Sequence, residues 1–155
     1  MFFKKVTMFK ISEVNIDLFA AGPEYSLCHC VAADLRMGKG IAVKFRNKFG
    51  GLADLQQQNV QPGGVAILQR QQRYIYYLIT KQSSWGKPTY QLLHSSLTAM
   101  KEHMLKHNVQ KLALPRIGCG LDGLNWSKVK DMLIEIFAAD DVELLVFNYV
   151  AGNTK

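Results

Sequence analysis

The run YIYYLIT, Tyr74–Thr80, limits the fold more than any other stretch. Its aromatic and β-branched residues suit a strand, and no charged residue alternates with them to mark a solvent face. Such a strand is apolar on both sides and needs cover on both. SLCHCVAA, GVAILQ, KLALPRI and VELLVFNYV read the same way, and KKVTMF near the N-terminus adds an edge strand. Helical patterns lie between them. In TYQLLHSSLTAMKEHMLKHN, Leu93, Leu97, Met100 and Met104 share one helix face. In NWSKVKDMLIEIFAAD, Val129, Met132, Leu133, Ile136 and Phe137 do so, with Asn125 placed as N-cap. KGIAVKFRNKFGG is a shorter helix closed by glycines. Strands alternating with helices imply a parallel or mixed sheet with helices on both faces, an α/β fold. No repeat, low-complexity tract or linker divides the chain, so residues 1–155 are read as a single domain.

Charge and cysteine content narrow the class further. The formal charge of +7 favours anionic partners: nucleic acid, phosphorylated metabolites or an acidic protein. The basic residues are dispersed, however, and a solvated basic surface accounts for them equally well. Three cysteines, Cys28, Cys30 and Cys119, form no even disulfide framework. They suggest reduced thiols in an intracellular setting, nuclear or cytoplasmic. The opening MFFKKVTMFK has no apolar signal core, and no segment approaches membrane-spanning length.

Sheets of this kind bind ligands where the carboxyl ends of their strands meet the loops. LALPRIGCGLDGLNW, Leu112–Trp126, is such a handover, with Gly118, Cys119, Gly120 and Asp122 between strand and helix. Glycines let the backbone approach an anion, and a following helix N-terminus suits a phosphate. A tight strand-to-helix turn needing positive φ explains the same residues. Gly118, Gly120 and Gly123 match G-x-G-x-x-G, but no acidic strand end follows about 20 residues later, as a dinucleotide site requires. DLRMGKGIAVKF, Asp34–Phe45, is a second glycine-bearing loop ahead of a helix, through Gly38 and Gly40. Two such loops can close on one phosphorylated ligand from opposite sides.

Lys81 ends the buried YIYYLIT strand. Against apolar surface a lysine must be paired or lose its charge, and a neutral lysine is a nucleophile for carbonyl-like carbon. The alternative is a strand end pointing into water. Asp122 is the residue whose company in one cleft would decide between these. The remaining features are bland. In Cys28-His29-Cys30 the cysteines share one strand face and the histidine takes the other. His103 and His107, at i and i+4, lack a third ligand, and His94 lies at least a turn away, so no metal is expected. No serine sits in a nucleophile elbow. Cys119 is either a reactive thiol near a helix N-terminus or a small packing residue.

With these residues in view, the chain resembles the macrodomains. The likeness is closest to the subgroup of terminal ADP-ribose protein glycohydrolases, which also hydrolyse O-acetyl-ADP-ribose. It rests on DLF at Asp17–Phe19, HC at His29–Cys30, RMGKGIAVKF, KFGG, RYIYYLITK, KPTY and PRIGCGLD, in family order along nearly the whole chain. The resemblance implies a three-layer α/β/α sandwich with a six-stranded mixed sheet and ADP-ribose across the strand ends. It implies hydrolysis that frees mono- or terminal ADP-ribose from glutamate and aspartate side chains of proteins, without a cofactor. It makes Lys81 the nucleophile and Asp122 its assistant. Asp17 and Leu18 fall on the adenine side, and Ala32 on the first loop. Arg116, Ile117, Gly118, Cys119, Gly120, Leu121 and Asp122 fall along the diphosphate and distal ribose, and Tyr149 beside the adenosine. Departures are Ile16 where macrodomains often carry glycine, Ala32 where the subgroup can carry serine, and Lys39 as an added cation. The partners implied are ADP-ribose, ADP-ribosylated proteins and O-acetyl-ADP-ribose, with no membrane or direct nucleic-acid contact and a monomeric state. Two rivals keep the same residues: a non-catalytic ADP-ribose reader, told apart by turnover, and a basic nucleic-acid-binding domain, told apart by steep salt dependence.

Overall fold

A computed structural model describes residues 8–148. The elements run β1 (Lys10–Val14), a 3-10 turn (Leu18–Ala20), β2 (Ser26–Ala32), α1 (Ile41–Phe49), α2 (Leu52–Gln58), β3 (Val65–Arg70), β4 (Arg73–Lys81), α3 (Tyr90–Lys106), β5 (Lys111–Leu114), α4 (Trp126–Phe137) and β6 (Glu143–Phe147). One six-stranded sheet has the order β1-β6-β5-β2-β4-β3. All neighbours are parallel except β3, which pairs antiparallel with β4 at the edge. The sheet is therefore mixed.

The continuous apolar strand is covered as its composition requires. Tyr76 and Leu78 of β4 pack with Leu93, Leu97, Met100 and Met104 of α3 and with Val129, Leu133 and Phe137 of α4. Ile75, Tyr77 and Ile79 face the other way, against Phe45 of α1 and Leu55 of α2. Those are the two outer layers of an α/β/α sandwich. Period two in the strand meets period 3.6 in the helices, and both stripes fall where the sequence puts them. Asn125 caps α4, its Oδ1 accepting the Lys128 N–H at 3.2 Å, and Thr89 caps α3 through the Leu92 N–H at 3.1 Å.

Two elements depart from the sequence reading. An edge strand runs over Lys10–Val14; of the expected KKVTMF, Met8 and Phe9 lie outside any strand and residues 4–7 lie outside the described residues. Lys10–Val14 runs alongside β6 over five register pairs from Lys10–Glu143 to Val14–Phe147. The second departure is α2, which periodicity misses because Leu55 is its one buried side chain. Gly51 (φ 72°) begins it directly after Gly50 (φ 58°) ends α1, so the glycines that close one helix also admit the next.

The connections open a crevice. β2 leads to α1 on one face of the sheet, whereas its neighbours β4 and β5 lead to α3 and α4 on the other. Chains leaving adjacent strands toward opposite faces leave a gap between them, the usual place for a ligand in such sheets. Pro115 widens it. The β2–β5 ladder holds only Ser26–Leu112 and Leu27–Ala113, and β5 stops at Leu114. Proline has no N–H to continue a ladder.

Candidate active site

Lys81 stands at the carboxyl end of β4, where the β2–β4 register slips. Val31 pairs with Ile79 and Ala32 with Lys81, so Thr80 is the extra residue of a bulge. A bulge bends its strand and re-aims the next side chain. Lys81 Nζ meets Asp122 Oδ1 at 2.8 Å across 41 residues of sequence, with 14% and 16% of the two side chains exposed. The pairing that the sequence left open is formed, and Lys81 does not point into water. Beneath it lies Cys30, whose thiol burial and the nearby Asp122 carboxylate push up to about 12.

Asp122 is carried by the second glycine loop, whose folding is local. Gly118 takes φ 71°, and a Cβ there would stand 2.9 Å from Leu124 Cδ1, so both conformation and space demand glycine. The Leu124 N–H donates to Gly118 O at 2.8 Å and Gly123 N–H to Gly120 O at 3.2 Å. Cys119 N–H is spent on Arg116 O at 3.2 Å. The N–H groups of Gly118 and Gly120 meet no protein acceptor among the described residues. A Cβ on Gly120 would have nothing within 4 Å. This loop thus keeps two amides and open space for an anion.

The first glycine loop faces it. Gly40 begins α1 with φ 62°, and a Cβ there would lie 3.7 Å from Leu121 Cδ1, which brings the two loops together as their paired occurrence suggests. Asp34 braces this edge. Its carboxylate accepts the Ser84 N–H at 2.7 Å and the Ser84 hydroxyl at 2.7 Å, tying the loop after β2 to the loop after β4. Burial works against its charge, but the Ser84 hydroxyl and the Arg36 and Ser84 amides hold its pKa below the ordinary value. Lys87 Nζ donates to Leu121 O at 2.9 Å, and the Asn125 N–H donates to the Tyr90 hydroxyl at 2.9 Å, fastening the loop after β4 to the glycine loop. Asp34, Ser84 and Glu13 carry no ligand role in the sequence reading. KPTY, the stretch holding Lys87 and Tyr90, was the available signal for the second fastening.

The remaining expected residues divide by side chain and backbone. Asp17 caps the 3-10 turn, accepting the Phe19 N–H at 2.9 Å, and lies 3.8 Å from Lys44 Nζ. Leu18 is buried in the α1–α2 side of the core, and Ala32 is buried at the end of β2. Ile117 is buried in the opposite core, which leaves only its backbone for a ligand. Arg116 is drawn to β1, its guanidinium bidentate on Glu13 at 2.7 and 2.9 Å, and lies 5.6 Å from the centre of the Trp126 ring. That fork-to-carboxylate geometry occupies the side chain. Cys119 donates its thiol to Ile117 O at 3.1 Å, and burial pushes that thiol up to about 11, so it behaves as a packing residue. Leu121 is exposed at the rim. Tyr149 lies outside the described residues.

Histidine placement follows the strand reading. His29 faces away from Cys28 and Cys30, stacked on Phe45 with ring centroids 3.7 Å apart. His103 and His107 stack at 4.0 Å beside Tyr74 and Tyr76, with Tyr76 Oη 2.8 Å from His103 Nδ1. Among the described residues no group of three or more His, Cys, Asp or Glu side chains is arranged to hold a metal ion. No helix among them is long and apolar enough to cross a membrane.

Known proteins resemble this chain in sequence and fold. The Macro domain family model matches residues 28–133, a span that includes both glycine loops, Lys81 and Asp122. The chain is 51% identical over 138 residues to a protein of Homo sapiens named ADP-ribose glycohydrolase OARD1, covering 89% of this chain and 91% of that one. The Bos taurus protein of the same name matches over the same length at 51%. The solved macrodomain of Thermus aquaticus DarG superposes with a TM-score of 0.77 at 27% identity, covering 90% of this chain and 99% of that one. The family match and this extent of shared sequence agree: the chain belongs to the Macro domain family.

Proposed function

We propose that the chain is a hydrolase that releases ADP-ribose from the acidic side chains of proteins. The same site would remove the terminal unit of a chain and act on O-acetyl-ADP-ribose. The observation that carries the reading is the Lys81–Asp122 contact at 2.8 Å, set at the strand ends between two glycine loops. The 51% identity, over 89% of this chain, to proteins named ADP-ribose glycohydrolase supports the same activity.

In this reading the Gly118 and Gly120 amides hold the diphosphate, and the N-terminus of α1 closes on it from the first loop. Asp17 and Leu18 border the adenine. The distal ribose then sits over Lys81. Asp122 accepts a proton from Lys81 Nζ, and the free amine attacks the anomeric carbon. A carbon–nitrogen bond forms as the bond to the ester oxygen breaks, and the protein carboxylate leaves. The new ammonium loses a proton to solvent, and Asp122 hands its proton to the ring oxygen as the sugar opens to an iminium on the lysine. Water, shedding its proton to Asp122, adds to that carbon, and ADP-ribose departs as the lysine is restored. The fixed position of the pair does most of the work, because attack becomes intramolecular once the ligand is bound. The three unpaired cysteines suit the intracellular setting that this substrate class requires.

The test is incubation with glutamate-linked mono-ADP-ribosylated protein. Free ADP-ribose should appear, and the protein should lose the corresponding mass. Tight binding of ADP-ribose without any release would make the chain a reader instead.

A further inference from the structure

Two large apolar side chains stand exposed on the loops that bear the reacting pair: Trp85 is 76% exposed and Leu121 70%. Tryptophan is ordinarily one of the more deeply covered residues. A loose loop would explain its exposure, but this loop is fastened on both sides of the indole. Ser84 is held by the Asp34 carboxylate, Gly86 N–H closes a turn on Ser83 O at 3.0 Å, and Lys87 Nζ is held by Leu121 O at 2.9 Å. The indole is thereby kept out of the core between two anchors. It lies four residues past Lys81, a chain reach of at most roughly 14 Å. Lys87 is exposed on the same loop as Trp85, and Lys39 on the first glycine loop. Beside Lys81 and Asp122 the rim shows these apolar side chains and lysines, and the Asp34 carboxylate next to them is taken up by Ser84 and the Arg36 N–H.

We propose that Trp85, assisted by Leu121, docks the polypeptide that carries the ADP-ribose, and that Trp85 sets specificity for protein-linked over free substrates. This rests on the glycohydrolase reading above. The nucleotide fills the glycine-lined crevice, so the part of the substrate that reaches the rim is the chain around the modified carboxylate. The preferred segment is acidic, matching the lysines, with an apolar residue near the modified position. A fixed indole loses little freedom on binding, and tryptophan is prominent among residues that dominate interfaces.

Wild type, Trp85→Ala and Trp85→Phe should be compared on a glutamate-linked ADP-ribosylated acidic peptide and on O-acetyl-ADP-ribose, with free ADP-ribose affinity measured by calorimetry. The expected result is a KM for the peptide raised about tenfold or more in Trp85→Ala, with kcat little changed, and substantial rescue in Trp85→Phe. O-acetyl-ADP-ribose hydrolysis and ADP-ribose affinity should be the same in all three. An unchanged peptide KM in Trp85→Ala, or an equal loss on both substrates, overturns the docking role while leaving the glycohydrolase reading intact. If wild type binds no ADP-ribose and cleaves neither substrate, the glycohydrolase reading falls and the docking role falls with it.

Discussion

Lys81 meets Asp122 at 2.8 Å with 14% and 16% of the side chains exposed, and Lys101 meets Asp140 at 3.0 Å with 26% and 16%. The chemistry of the two pairs is the same and their dimensions nearly so. Their surroundings differ. Lys101 also donates to Ile136 O at 2.7 Å, one of the carbonyls in the last turn of α4 that lack a helical partner. A cation is favoured there by the helix dipole as well. The pair clasps α3 to the end of α4, and Lys101 is engaged within the fold by both the carbonyl and the ion contact. Lys81 Nζ has Asp122 as its one hydrogen-bond partner among the described residues, and the loop that carries Asp122 also holds Gly120, where a Cβ would meet nothing within 4 Å. The fold engages one lysine twice and leaves the other with a single contact beside open space. An ion pair takes its role from what surrounds it.

The largest expected effect is on turnover. Lys81→Ala should lose roughly four orders of magnitude in kcat or more, while ADP-ribose still binds, because the glycine loops are untouched. Lys81→Arg should be equally inactive, since a guanidinium stays protonated and cannot attack. Lys101→Ala should leave kcat unchanged. Equal turnover losses at the two lysines would erase the distinction between the pairs. Asp122→Ala should slow the later hydrolysis and trap a lysyl–ADP-ribose adduct, visible by intact mass and mapped to Lys81. No adduct from either mutant would place Asp122 in the attack itself.

The open space beside the first pair gives the next effect. Gly120→Leu projects into a region empty to 4 Å, so the unliganded fold should melt near the wild-type temperature. It should nonetheless lose the stabilisation by ADP-ribose, about 2.7 kcal/mol at a hundred times Kd. Gly118→Leu meets Leu124 from a positive φ and should destabilise the fold itself. A normal ADP-ribose shift in Gly120→Leu would move the ligand away from this loop.

Both pairs are best compared above pH 6.5 because His29 makes the fold acid-sensitive. Complete burial lowers its pKa from 6.5 to about 3. Between those values the unfolded chain binds a proton that the folded chain does not. Stability is therefore full above about pH 6.5 and falls with acid, by about 2 kcal/mol at pH 5. His29→Leu should flatten that dependence in urea melts recorded from pH 7 to 5, and an unchanged slope would assign it elsewhere. The smallest effect is at the second pair. Lys101→Ala should cost about 1 kcal/mol of stability through the lost carbonyl and carboxylate contacts, read as a lower urea midpoint.

Side-chain pattern alone located most of the layers. The two-faced strand at Tyr74–Thr80, the helix stripes at Leu93–Met104 and Val129–Phe137 and the cap at Asn125 are local properties, set by spacing within one element. The glycine loops were legible for the same reason, since a positive φ at Gly40 or Gly118 is a demand of the turn itself. α2 was not legible because one buried leucine leaves no period to read.

What only the tertiary structure decided is what crosses between elements. The sequence sets Lys81 at a strand end and Asp122 in a loop, but their contact depends on strand order, on the bulge at Thr80 and on the loop geometry after Pro115. The same holds for the Asp34–Ser84 brace, the Lys87 tie to Leu121 and the turning of Arg116 toward Glu13, a partner 103 residues away. Local spacing fixes which residues share a face because backbone geometry repeats within an element. It carries no information on which distant polar group will satisfy a half-buried charge, a choice made only when the packed layers bring partners within hydrogen-bond range.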